Sequence, residues 1–157
     1  MPKALKTPRM GKSKLVIEGY EIPLTYVSDA PMMLLQLFLQ WYDRYDAENY
    51  TTPAITLNAD DWAITLILRE RTVFRPPSII VIREKKSYEH TALFTEDIID
   101  ITAKQIADDI LADIDEWTLW TDYKTLTNEE IVARKEKLTR MANELRKKAM
   151  YCTFGKL

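Results

Sequence analysis

The side chains best placed for chemistry in this chain are carboxylates on a single amphipathic stretch. Asp108, Asp109, Asp113, Asp115 and Glu116 lie off an apolar stripe of Ala103, Ile106, Ala107, Ile110, Leu111, Ile114 and Trp117 that repeats at helical spacing. Asp109, Asp113 and Glu116 stand at i, i+4 and i+7, so a helix presents them on one face, where oxygen donors suit Mg²⁺ or Ca²⁺. A solvated acidic face has the same pattern and no general base accompanies these residues, so neither a metal nor a catalytic role is assigned. Adjacent like charges at Asp109 and Asp113 cost about 0.2–0.5 kcal/mol. Acids toward the helix C-terminus oppose the macrodipole by typically about 0.3–1 kcal/mol each. Local rules broken repeatedly in one direction imply a compensating partner.

The remaining catalytic vocabulary is thin. The chain has one His (His90), one Cys (Cys152) and three Gly. No glycine-rich phosphate cradle is present, and Cys and His are too few for structural zinc. His90, in Tyr88-Glu89-His90-Thr91, reads as a strand-surface histidine beside a turn, and no activated-nucleophile motif surrounds it. The expectation is a protein that is not an enzyme and carries no cofactor. A single Cys forms no internal disulfide, so cytoplasmic residence is expected. The longest apolar run, Pro31 to Leu39 interrupted by Gln36, is too short for a membrane span.

Three compensators fit the acids. One is internal: a basic final helix bearing Arg134, Lys135, Lys137, Arg140, Arg146, Lys147 and Lys148. Another is a basic partner attracted to an acidic face that ends in Trp117 and Trp120, residues typical of interface hot spots. The last is the metal ion already considered. The leading expectation is a non-enzymatic protein–protein interaction module, an adaptor, inhibitor or component of a larger assembly. Its partner is another protein, a second copy included, and not a membrane. The contact residues would be Asp109, Asp113, Asp115, Glu116, Trp117 and Trp120, with Lys135, Lys137 and Arg140 as the opposing basic face. The alternative is a nucleic-acid-associated regulator using Lys3, Lys6, Arg9, Lys12 and Lys14 together with Arg146, Lys147 and Lys148. A net charge of −2 disfavours it.

That charge is sorted into blocks. Residues 1–27 balance at +3, 28–66 at −5, 67–89 at +3, 90–122 at −8 and 123–157 at +5. Sorted signs imply oppositely charged elements facing each other, or a field presented to a partner.

The elements follow from periodicity. Residues 1–13 read as a flexible basic arm, and 14–157 as one globular domain, sheet-rich over 14–94 and helical over 96–150. Lys14 to Val27 predicts a hairpin turning at Gly19, with Pro23 confining the second strand to an edge. Ser28 and Asp29 offer capping oxygens to an apolar helix near 30–46. Residues 54–94 predict two hairpins, in which Ser78 to Ile82 reads as a strand covered on both faces. Capping boxes at Thr102–Gln105 and Thr127–Glu130 open two final helices, which the short linker makes an antiparallel pair. The predicted class is α+β, with about six short, mostly antiparallel strands, one buried apolar helix and the C-terminal helix pair.

Overall fold

A computed structural model describes residues 3–44, 52–70, 76–85, 88–94, 98–120 and 126–155. They form an α+β fold. The first hairpin pairs β1 (Lys12–Ile17) with β2 (Tyr20–Thr25). It turns at Glu18-Gly19, both at positive φ (51° and 82°), the mirror-image turn that matches strand twist. Pro23 lies opposite Lys14 in this two-stranded sheet. The second sheet is an antiparallel meander in chain order: β3 (Ala54–Ala59), β4 (Trp62–Arg69), β5 (Ser78–Lys85) and β6 (Tyr88–Phe94).

Between the two sheets in chain order comes α1 (Ala30–Tyr42), which packs on β3, β4, α2 and α4 and buries Leu34, Leu35, Leu37, Phe38 and Trp41. Gln36 and Gln40 face outward, so this helix is apolar on its core side and not all round. Asp29 occupies its N-cap position, but neither expected capping oxygen caps it. The Asp29 carboxylate is drawn to Arg134 instead, and Ser28 Oγ accepts the Asn58 N–H at 2.8 Å.

The acidic stretch is two helices rather than one. α2 (Ile99–Ala112) begins three residues before the expected box, so Thr102 lies buried within it and its N–H donates to the Ile98 carbonyl at 2.8 Å. The chain leaves helical geometry at Asp113 (φ −115°, ψ 36°) and resumes as α3 (Ile114–Thr118). The second capping box does form: the Glu130 N–H donates to Thr127 Oγ1 at 3.2 Å, and the Thr127 N–H reaches Glu130 Oε1 at 3.4 Å. It opens α4 (Asn128–Gly155), about 42 Å long at 1.5 Å per residue. Its seam of Leu138, Ala142, Leu145 and Ala149 is buried against α2 and α1.

The described part of the expected arm is not free. Residues 4–9 turn back at Met10-Gly11 (φ 51° and 74°) and run antiparallel to β1. The Val16 N–H donates to the Ala4 carbonyl at 2.8 Å and the Lys6 N–H to the Lys14 carbonyl at 3.0 Å, while Leu5 is 0% exposed. Ala4 and Leu5 are apolar residues that a basic composition concealed. Gly11 is required at the turn, because a Cβ there would stand 2.2 Å from the Tyr26 ring.

The second sheet is also not covered as expected. Ile79 and Val81 enter the core with Leu57, Ile64, Leu66 and Leu68 on the face toward α1. Ile80 and Ile82 fall on the opposite face and stay half-buried. The strand alternates in burial although its composition does not.

Candidate functional site

Two surfaces compete for a functional role: the acidic α2–α3 segment and the outer face of the meander. Asp109 and Asp113 are both buried, and the N-terminal segment holds them. The Ala4 and Leu5 N–H groups donate to Asp109 Oδ2 at 2.8 and 3.0 Å. Burial pushes the Asp109 carboxyl above the ordinary carboxylate range, opposed by those two N–H groups and by the Lys3 charge. Lys3 Nζ and Thr7 Oγ1 both donate to Asp113 Oδ2, at 2.5 and 2.8 Å. The main compensator of the acidic helix is thus the N-terminal segment.

The basic final helix supplies the rest. Arg146 pairs with Asp108 at 3.2 Å, and Lys135 pairs with Asp115 at 2.9 Å. Trp117 is 0% exposed and Trp120 only 4%, with ring centroids 5.1 Å apart; the Trp120 indole N–H donates to the Ser28 carbonyl at 2.9 Å. As surface contacts, Asp109, Asp113, Trp117 and Trp120 are therefore corrected: all four are buried, the two acids beneath the segment expected to be mobile and the two indoles against each other. Of the expected contact set, Asp115, Glu116, Lys135, Lys137 and Arg140 remain exposed. Glu116 lines a cleft of about 390 Å³ with Pro8, Met10, Tyr26, Leu119 and Trp120.

A hub missed at the sequence level sits between these helices. Arg134, its side chain 14% exposed, forms two parallel bonds to the Asp29 carboxylate at 2.8 and 2.9 Å. It also donates to the carbonyls of Thr118 and Trp120 at 2.9 and 2.8 Å, which closes the C-terminal end of α3. Nothing in the sequence separates Arg134 from the other six bases of its helix. Only its position opposite the end of α3 does.

The three acids spaced for a metal ion do not act as one set. Asp109 and Asp113 are committed to the chain's own donors, and Glu116 lies beyond the helix break. No cluster of three or more metal-binding side chains occurs among the described residues. Half of the expected nucleic-acid set is likewise engaged: Lys3 with Asp113, Lys14 with Glu21, Arg146 with Asp108 and Lys148 with Asp43. Lys6, Arg9, Lys12 and Lys147 have no such ion pair among the described residues. His90 stacks on Tyr20 with centroids 5.9 Å apart, and Arg83 lies over the Tyr20 ring at 6.0 Å; both contacts tie the first hairpin's tip to the meander. No helix among the described residues is long and apolar enough to cross a membrane.

The outer face of the meander is different. Cross-strand pairing sets Ile67, Ile80 and Leu93 in one row and Thr65, Ile82 and Thr91 in the next. Leu93 is 57% exposed, and Thr56 and Thr65 share a hydroxyl contact at 3.0 Å on this face. The rows form one contiguous patch of methyl-bearing side chains. The sequence signal was Thr alternating with aliphatics in β3, β4 and β6, set against an unbroken aliphatic β5.

Comparison with protein-family models, with curated proteins and with solved structures gives no match for this chain.

Proposed function

We propose that this chain is a non-enzymatic protein-interaction module, acting as an adaptor, an inhibitor or a component of a larger assembly. The observation that carries the reading is the outer face of the β3–β6 sheet, where Ile67, Ile80, Ile82 and Leu93 lie side by side with no charge among them. Contiguous apolar patches rimmed by polar residues are characteristic of contact surfaces. The acidic segment adds little to this reading. Its buried acids serve the interior, and an exposed pair such as Asp115–Lys135 is worth about 0–1 kcal/mol.

Site-specific photo-crosslinking in the native host tests the proposal. A benzophenone side chain at Leu93 is expected to give discrete protein adducts, whereas the same group at exposed Lys147 is expected to give none. Equal labelling at the two positions, or no adduct at Leu93, would rule out the sheet face as the contact surface.

A further inference from the structure

Resting on that contact reading, we infer that the occupant of the outer sheet face is a second copy of this chain, packed face to face with its strands antiparallel to the first. The charges at the ends of the face single out this partner. Arg69 lies at one end, opposite Ser78. At the other end Ala63, Glu84 and Glu89 form one row across three strands. Glu84 and Glu89 are direct cross-strand neighbours on the same face, where like charges repel. Neither makes an ion pair among the described residues, and neither does Arg69. The face is positive at one end, negative at the other and uncharged between.

Two-fold symmetry offers two simple ways to stack such a face on itself. An axis along the strands would keep the Glu84–Glu89 rows of the two copies at one level and gather four carboxylates there. An axis across the strands reverses the second sheet. Centred at the level of Val81, it sets the Ser78 row over the Glu84 row and the Ile80 row over the Ile82 row. Arg69 of each copy then lies over Ala63 of the other, one strand spacing of about 4.8 Å from Glu84. Ile67, Ile80 and Leu93 meet Thr65, Ile82 and Thr91. Charge complementarity selects this second arrangement, and sheets facing each other about 10 Å apart leave room for these side chains.

The face is small. Four strands at about 4.8 Å and a Ser78-to-Glu84 span of about 20 Å give a projected area of roughly 400 Å² per copy. A standard interface covers about 800 Å² per partner, so this dimer is a weak one that forms with rising concentration.

Sedimentation velocity of the purified chain, from low micromolar to several hundred micromolar, tests the inference. The wild type is expected to shift from monomer toward dimer. Arg69→Glu is expected to weaken the dimer by about tenfold or more. Adding Glu84→Arg and Glu89→Arg to that variant is expected to return the affinity to within a few-fold of wild type. This rescue also shows that the single variant is folded. Monomer at every concentration, a dimer indifferent to Arg69→Glu, or no recovery in the triple variant would each overturn the inference. A monomeric chain whose Leu93 crosslinks to a different protein in the host excludes the second copy and leaves the contact reading standing. A monomer with no Leu93 adduct removes both.

Discussion

The acidic α2–α3 segment and the β3–β6 sheet resolve the same problem in opposite ways. On the acidic segment the awkward groups are answered from within: Lys3, Thr7 and two backbone N–H groups take Asp109 and Asp113, and Arg146 and Lys135 take Asp108 and Asp115. On the sheet, one face is closed by the core while the other keeps Leu93 exposed and Ile80 and Ile82 half-buried, and leaves Glu84 beside Glu89. A sequence feature that breaks local rules is therefore no guide to function until its internal partners are counted. The feature that obeyed the rules, an aliphatic β-strand, carries the unfilled surface.

That contrast can be broken most sharply inside β4 and β5. Leu66→Ala, on the core face, is expected to destabilise by about 2–5 kcal/mol in urea unfolding. Ile80→Thr, on the opposite face, is expected to change stability far less. Equal costs would mean that the outer face is packed after all.

The next largest effect belongs to Arg134. Arg134→Met is expected to cost about 1–3 kcal/mol, because it leaves several carbonyls at the end of α3 without their donor and removes the paired bonds to Asp29. Arg134→Lys should recover only part of it, since an ammonium cannot form the paired bonds. A full recovery would reduce the hub to a point charge.

Asp109 sharpens the helical side. Asp109→Ala leaves the Ala4 and Leu5 N–H groups without their acceptor, at a cost of about 1–3 kcal/mol. Faster amide exchange should appear first at Ala4 and Leu5, which lose their acceptor, and at Lys6 and Val16, whose bonds hold the N-terminal segment to β1. Unchanged exchange there would mean that the segment is held by Leu5 packing alone.

The pH dependence is the subtlest outcome. Burial raises the folded-state pKa of Asp109 above its ordinary 3.8, so the native state holds this proton more tightly than the unfolded chain. Its contribution to stability is greatest below that ordinary value and is lost as pH rises through the folded pKa. Asp109→Asn removes this downward slope, and denaturation midpoints of the two proteins at closely spaced acidic pH values measure the difference. An identical slope in both would show that Asp109 is not the group responsible.

Much of the fold was legible where local chemistry acts alone. Gly19 marked its turn, Thr127 and Glu130 marked a helix start, and alternation in β4 marked a half-buried strand. The failures came where tertiary contacts override local signals. Thr102 carried the same capping pattern as Thr127, but the helix had already begun at Ile99. Trp117 and Trp120 looked like hot spots because nothing in their neighbourhood announces that residues more than a hundred positions upstream cover the acids beside them. The outer face was misread because an unbroken aliphatic run does not reveal which of its two sides a helix reaches.

The most direct test compares the two regions in a single measurement. The tagged chain is recovered from its native host as wild type, as Ile82→Lys with Leu93→Lys, and as Asp115→Lys with Glu116→Lys. Bound proteins, including differently tagged copies of the chain itself, are then quantified. The expected outcome is that the sheet variant loses what the wild type retains, while the helix variant keeps it. Loss in the helix variant with retention in the sheet variant would contradict it.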